Sequence, residues 1–357
     1  MKIKLAIIES DDTYLSRLSK VLNSKYSSKL QVSYFSDYEI ATEYCNNNKF
    51  DMVILDESVD ASKFEKSNVV ILANEIGVSK FGNQKAISKY QKASSIYSEI
   101  LKLYSEFAND RDFSSNNEQK ESKSTDVISF TSFSGGVGTT SVSVATAEHF
   151  ASRGYNVVYL STGLFADPSM YFHNDGPQNF SNAIYAIKSK KNNLSLKIES
   201  SLSSSFSGVS YFASPNMSID VSEMASEDWV KLIDELINNF DFDFIIIDID
   251  NSFDFSQKNI SILDKSDKIV VVNDGSVASN RKFEMAYNSL YVFEENKDYS
   301  LIEKMYLVYN KFSNKTSLEL SNINIKCIGG IQRVESNSVN NSIKFIKEYS
   351  GIFEKLI

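Results

Sequence analysis

Cysteine, histidine and long apolar runs are scarce in this sequence, and each scarcity excludes a class of function. The 357 residues hold two cysteines, Cys45 and Cys327, and two histidines, His149 and His173. Two cysteines so far apart form neither a disulfide framework nor a zinc site, and we expect both to be buried free thiols. The histidines lack the partners that metal sites and His-based triads need, so we expect structural or surface roles for both.

The same approach excludes membrane spans and argues against nucleic acid as a partner. No apolar run approaches the ~20 residues that cross a bilayer, and the first residues show no signal peptide. These absences predict a cytoplasmic protein. The formal net charge is −9, whereas binding to nucleic acid generally needs a basic surface.

Length and composition predict two folded α/β domains. The chain is 42% hydrophobic and 23% charged, as in ordinary globular proteins, and it is too long for one ordinary core. A polar stretch without periodicity predicts a linker at 109–125, between a first domain at 1–108 and a second at 126–357.

Short apolar runs alternate with amphipathic stretches in both domains, which predicts two doubly wound parallel sheets. The first domain has five predicted βα repeats, with strands at 4–8, 31–35, 52–55, 69–73 and 86–90. The second has predicted strands at 127–131, 157–160, 209–213, 244–248, 268–273, 305–310 and 325–330.

A glycine-rich turn joins the first strand of the second domain to a helix. It reads Ser134, Gly135, Gly136, Val137, Gly138, Thr139, Thr140 and Ser141. Glycines let backbone N–H groups form a nest for phosphate oxygens at a helix N-terminus. The Thr140 hydroxyl is placed to bind Mg²⁺, and a later apolar strand ends in the carboxylate Asp248. A nucleotide site is therefore favoured over a purely structural turn.

This loop resembles the deviant Walker A motif of the MinD/ParA ATPases, whose pattern is Lys-Gly-Gly-x-Gly-Lys-Thr-Thr. The resemblance runs from about Asp126 to the C-terminus and implies binding of ATP with Mg²⁺. It places Asp248 at the family's magnesium-shell aspartate and Asn310 at the asparagine that reads the adenine edge. Gln332 stands at the proline of the family's turn beside the base.

The loop lacks the charged residues that the family uses for hydrolysis. Ser134 stands at the signature lysine, which reaches the partner's phosphates across a dimer, and Thr139 stands at the ordinary loop lysine. Ser161 replaces the aspartate that orients the attacking water, and a second family aspartate falls on Gly163. Each such electrostatic element contributes roughly 2–4 kcal/mol to phosphoryl transfer, so we expect ATP binding with slow or absent hydrolysis.

Acidic residues end neighbouring strands of the first domain. Glu9 ends the first strand, Asp56 ends the third and Lys89 ends the fifth. Carboxyl ends of parallel strands meet at one crevice, where Mg²⁺ and a phosphoryl group can sit. The pattern resembles a response-regulator receiver domain, with Asp56 at the phosphoacceptor position and Lys89 at the receiver lysine.

Three positions depart from the receiver pattern. Ser10 replaces one acidic residue, for which Asp11 can compensate. Ala73 replaces the hydroxyl that senses the phosphoryl group, and Tyr90 replaces a proline. We expect a degenerate receiver that docks or dimerises rather than a working phosphoswitch, and plain surface carboxylates are the remaining alternative.

A receiver-like domain ahead of a MinD-like domain resembles the TadZ/CpaE group. That resemblance alone implies a cytoplasmic ATP-bound homodimer that localises or assembles the Tad (Flp-type) pilus machinery. It also implies a position at a cell pole, or at the inner face of the membrane through protein partners.

Three other functions stay open. They are an active MinD/ParA-type ATPase, a regulator controlled by phosphorylation of Asp56, and DNA segregation, which the net charge disfavours.

At the C-terminus, Ile346, Tyr349, Phe353 and Leu356 share one face. This stripe predicts a helix packed on the sheet rather than a membrane anchor.

Overall fold

A computed structural model describes the chain in two compact units, Met1–Ser115 and Asn116–Ile357. The described residues are 2–64, 67–108, 124–172, 179–189, 193–252, 254–297, 299–333 and 338–357. The predicted linker falls almost wholly on residues 109–123, and His173 also lies outside the described residues. Among the described helices, none combines the length and the apolar character that crossing a membrane requires.

The first unit is a six-stranded sheet with strand order β2-β1-β3-β4-β6-β5. Its strands are β1 (Ile3–Ile8), β2 (Leu30–Phe35), β3 (Met52–Asp56), β4 (Val69–Ala73), β5 (Lys80–Phe81) and β6 (Gln84–Ser88). Its helices are α1 (Asp12–Lys25), α2 (Tyr38–Asn47) and α3 (Ala93–Ala108), with a 3₁₀ turn at Ala61–Phe64. The five parallel strands have the flavodoxin-like order, which confirms the predicted doubly wound sheet.

The prediction of five βα repeats is wrong in the second half of this unit. Between β3 and β4 the chain forms only the 3₁₀ turn, and between β4 and β6 it forms the antiparallel strand β5. Gly77 and Gly82 adopt φ of +77° and +59°, which suits turns and not a helix. The segment 74–83 is also too short for a helical crossover between parallel strands.

The second unit is an eight-stranded sheet with strand order β14-β13-β12-β7-β11-β8-β10-β9. Its strands are β7 (Asp126–Ser132), β8 (Val157–Ser161), β9 (Leu202–Ser204), β10 (Ser210–Phe212), β11 (Phe244–Ser252), β12 (Lys268–Asn273), β13 (Met305–Phe312) and β14 (Lys326–Gln332). The seven predicted strands are present and parallel. The edge strand β9, which was not predicted, pairs antiparallel with β10.

Helices cover both faces of this sheet. They are α4 (Thr139–Ser152), α5 (Phe180–Lys188), α6 (Leu194–Ser201), α7 (Ser218–Ser222), α8 (Ser226–Asn239), α9 (Gln257–Asp264), α10 (Val277–Asn296), α11 (Val339–Lys347) and α12 (Ser350–Phe353). One core lies under α4, α11 and α12, and the other lies under α5 to α10. Strand β7 is central, so both cores support the loop that leaves its carboxyl end.

The C-terminal segment packs on the sheet, as predicted. Ile346 is buried, and Phe353 and Leu356 are fully buried in the core under α4, whereas Tyr349 packs at its margin. His149 of α4 bonds to Glu354 at 2.8 Å, so its role is structural.

The two cysteines are both free, but only Cys45 is buried. The expectation of two buried thiols is wrong for Cys327, because β14 is an edge strand and leaves this side chain exposed.

Candidate functional site

The glycine-rich loop follows the central strand β7 and ends at the first residue of α4. Gly136 and Gly138 adopt φ of +78° and +89°, backbone conformations that residues with a Cβ rarely adopt. A Cβ added at Gly135 or Gly136 would meet no atom within 4 Å, so the space above the loop is open. Gly138 caps α4 without any side-chain hydrogen bond, so the cap residue offers no side-chain acceptor to the first-turn N–H groups.

A buried hydroxyl also lies at the start of this loop. Ser134 is only 6% exposed, and its Oγ has no hydrogen-bond partner among the described residues. The Ser134 carbonyl, by contrast, accepts a bond of 2.9 Å from Ser132 Oγ. An unsatisfied buried donor, backbone N–H groups and open space together fit an oxyanion ligand such as phosphate.

Strand β13 supports the loop from the side. The buried carboxamide of Asn310 donates from Nδ2 to the carbonyl of Val137 at 2.8 Å, and Lys311 Nζ donates to the carbonyl of Gly136 at 2.7 Å. The adenine candidate Asn310 therefore also holds the loop. Gln332 lies exposed at the end of β14, in register with Phe312.

The two predicted magnesium ligands are linked by a short chain of hydroxyls. Asp248 is buried, and Tyr159 donates to its Oδ2 at 3.0 Å. Tyr159 also lies 3.4 Å from Ser143 Oγ, which donates to the carbonyl of Thr140 at 2.9 Å. Burial, and next the charge of Asp248, raise the pKa of Tyr159 well above its usual value, so this hydroxyl stays protonated.

One hydroxyl and one carboxylate are a donor set that fits Mg²⁺ beside a nucleotide. In such sites Mg²⁺ takes one or two protein oxygens, and substrate phosphates and water complete its six ligands. Thr140 lies in the first turn of α4, and Asp248 lies in the adjacent strand β11, in register with Phe130 of β7. Ser161, at the missing switch aspartate, pairs in register with Asp248 at the end of β8.

The receiver-like site in the first unit is a buried ion pair. Lys89 Nζ lies 2.9 Å from Glu9 Oε1 and 4.0 Å from Asp56 Oδ2, and all three side chains are buried. Burial lowers the pKa of Lys89, but the hydrogen bond and charge of Glu9 outweigh it, so the net pKa is raised. Asp56 Oδ1 also accepts from Ser58 N at 3.0 Å and from the Ser58 hydroxyl.

Asp11 does not complete this group as an acidic ligand. Its carboxylate accepts from Tyr14 N at 3.0 Å and so caps α1, while its own N–H donates to Glu9 Oε1. Nowhere among the described residues do three or more His, Cys, Asp or Glu side chains meet in a way that could hold a metal ion. The Lys89 ammonium, 2.9 Å from Glu9 and 4.0 Å from Asp56, supplies positive charge between these two carboxylates.

Comparison with known proteins gives a family model for the first unit and a known fold for the second. Residues 1–105 match the family model described as TadZ-like, receiver domain. No curated protein sequence matches the chain.

Solved structures resemble the remainder of the chain. A ParA family ATPase from Chlorobium tepidum TLS aligns with 18% identity and a TM-score of 0.50, over 65% of this chain and 97% of its own. A chain of the MinC:MinD cell division protein complex from Aquifex aeolicus aligns with 15% identity and a TM-score of 0.51, over 65% of this chain and 96% of its own. A plasmid partition protein from Borrelia burgdorferi B31, bound to AMPPNP, aligns with 18% identity and a TM-score of 0.51, over 65% and 100%. At these identities the likeness establishes the fold alone.

Proposed function

We propose that this chain is an ATP-binding scaffold for a Tad (Flp-type) pilus machine. It joins a TadZ-like receiver domain to a domain with the MinD/ParA fold, which is the layout of TadZ/CpaE-type proteins. In this proposal it is a cytoplasmic homodimer that hydrolyses ATP slowly or not at all. The single observation that carries the proposal is the glycine loop between β7 and α4, in which Gly136 and Gly138 have positive φ and no residue is a lysine or an arginine.

ATP is bound in this proposal by the backbone from Ser134 to Ser141, with Asn310 and Gln332 on the side of the base. Thr140 and Asp248 would hold Mg²⁺, which would neutralise phosphate charge. Tyr159 fixes the Asp248 carboxylate by donating to it. The loop geometry itself is held by the bonds from Asn310 and Lys311.

Slow hydrolysis follows from the charges that are missing. The sequence from Asp126 to Phe150 contains no lysine or arginine, and the end of β8 offers the hydroxyl of Ser161 where a carboxylate would orient water. Charge that develops on the γ-phosphate is therefore less stabilised in the transition state, while ground-state binding by backbone N–H groups persists.

The receiver domain serves in this proposal as a docking or dimerisation module. Glu9 lies 2.9 Å from the buried Lys89 ammonium, and Ser58 donates to one oxygen of Asp56. A phosphoryl group on Asp56 would have to displace both arrangements. The competing phosphoswitch is tested by intact mass after incubation with acetyl phosphate, and a mass increase that Asp56→Asn abolishes would support it.

The scaffold is distinguished from an active ATPase by single-turnover hydrolysis with excess purified protein over radiolabelled ATP. We expect almost all ATP to stay intact over the lifetime of the complex. Phosphate release within minutes that Asp248→Ala abolishes would establish an ATPase instead. Light scattering with and without ATP tests the dimer, which should form only with ATP.

The pilus role needs a test in cells that carry this chain. We expect deletion of its gene to remove Flp-type pili, and a copy encoding Gly138→Ala not to restore them. Normal pili in the deletion strain would contradict the role in pilus assembly while leaving ATP binding untouched.

A further inference from the structure

Lys311 contacts the phosphate loop from outside it. Its Nζ donates to the carbonyl of Gly136 at 2.7 Å. Gly136 belongs to the segment from Asp126 to Phe150, which itself contains no lysine or arginine. The neighbouring Asn310 donates to the next carbonyl of the loop, that of Val137. Two consecutive residues of β13 thus bond to two consecutive carbonyls of the loop.

A β-bulge aims Lys311 in this direction. Tyr309 pairs with Gly330 and Phe312 pairs with Gln332, so three steps along β13 match two steps along β14. One extra residue is therefore inserted at Asn310–Lys311, and bulges of this kind re-aim side chains beside functional sites. Lys311 adopts φ of +56°, a left-handed conformation that costs a residue with a Cβ about 1 kcal/mol or more.

Backbone strain and a bulge at one residue call for a compensating interaction. A hydrogen bond between an exposed lysine and one backbone carbonyl contributes too little free energy to compensate for both the strain and the bulge. A polyphosphate bound by the loop would give a stronger one, because the Lys311 side chain already lies against the loop. Its Nζ bonds to the Gly136 carbonyl, and its Cε lies 3.5 Å from where a Cβ on Gly138 would stand.

We propose that Lys311 is the phosphate-binding cation of this site, supplied by β13 in place of the lysines missing at Ser134 and Thr139. The ammonium exchanges the Gly136 carbonyl for the β- and γ-phosphate oxygens of the bound nucleotide. This inference rests on the proposed function, since it assigns a residue to the same ATP site. It predicts a preference for nucleoside triphosphates that a backbone nest alone does not provide.

The test compares Lys311→Met with wild type by titrating fluorescent analogues of ATP, ADP and AMP in the full chain. Loss of a charge-assisted bond should raise the Kd for ATP about 10- to 100-fold, with a smaller rise for ADP and almost none for AMP. Lys311→Arg should restore most of the affinity for ATP. The control is Lys326→Met, which removes an exposed lysine at the amino end of β14, the end remote from the loop.

The outcomes separate the inference from the function on which it rests. If wild type binds no ATP, the proposed function fails. If wild type binds ATP and Lys311→Met binds it equally well, only the role of Lys311 fails. A uniform loss of ATP, ADP and AMP, not rescued by arginine, would show that Lys311 merely shapes the loop and would also overturn the inference.

Discussion

At the scale of single residues, the loop depends on one close approach between Gly138 and β13. A Cβ at Gly138 would lie 2.4 Å from Asn310 Nδ2, well inside van der Waals contact. The Asn310 side chain is buried and donates to the Val137 carbonyl, so it cannot move away from an added Cβ without breaking that hydrogen bond. The glycine is required here both by φ and by space.

We predict that Gly138→Ala abolishes ATP binding and lowers the free energy of unfolding of the second domain by about 2–4 kcal/mol. Gly154→Ala is a matched control, because Gly154 has φ of +90° but its added Cβ would meet no atom within 4 Å. It should cost about 1 kcal/mol and leave ATP binding intact. Equal losses of stability and binding in both variants would show that backbone strain, not the clash with Asn310, matters.

The second residue-scale feature is the buried Glu9–Lys89 pair of the first domain. Removing one partner of a buried pair leaves an uncompensated charge, at a cost of about 3–5 kcal/mol. Asp56, 4.0 Å from Lys89, offsets part of this cost. We therefore expect Glu9→Gln to destabilise the first domain by about 3 kcal/mol in urea unfolding.

Glu106→Gln is the control in the same domain. Glu106 also pairs with a lysine, Lys85, but both side chains are more than a third exposed, so its loss should cost at most about 1 kcal/mol. Equal effects of the two substitutions would mean that Glu9 does not hold Lys89 in a buried pair.

At the scale of elements, the sequence predicted the parallel strands well, because buried strands such as β3 and β4 are continuous apolar runs. It missed β5 and β9, which are very short edge strands of two and three residues. Such strands bury little and leave no apolar pattern to recognise. A helix was expected before β6 because the alternation of apolar runs and amphipathic stretches predicted five βα repeats, and the glycine turns replaced it.

The candidate site was predictable only in part for a related reason. The loop, Asp248 and Asn310 follow from motifs along the chain, whereas the contact between Lys311 and Gly136 depends on a register shift between β13 and β14. Nothing in the sequence around Asn310 and Lys311 predicts a bulge that turns the lysine toward a loop far away in the chain. Likewise Tyr159 reads as an ordinary strand residue until the sheet places it beside Asp248.

The C-terminal helices provide a prediction at this scale. Phe353 is fully buried, with its ring centroid 5.5 Å from that of His149. We expect Phe353→Ala to destabilise the second domain by about 3–5 kcal/mol. Ile357→Ala, at a side chain that is 45% exposed, should have an effect below about 1 kcal/mol. An unchanged melting temperature for Phe353→Ala, together with weaker binding to anionic vesicles, would instead identify the stripe as a membrane contact.

At the scale of the whole molecule, the two domains divide the work in our account. The second holds ATP in its glycine loop, and the first offers a receiver fold in which Lys89 pairs with Glu9. Neither site needs turnover to be useful, because a bound nucleotide can fix one dimeric conformation for as long as it stays intact. The formal net charge of −9 fits protein partners better than nucleic acid.

The most direct test of this account is the identity of the nucleotide that co-purifies with the full chain. Protein purified in Mg²⁺ is denatured in acid, and the released nucleotide is separated by ion-exchange chromatography and quantified against the protein. We predict close to one intact ATP per chain for wild type and almost none for Gly138→Ala. Stoichiometric ADP would show that the site hydrolyses ATP, and the absence of nucleotide, with no binding of added ATP, would contradict the account at its centre.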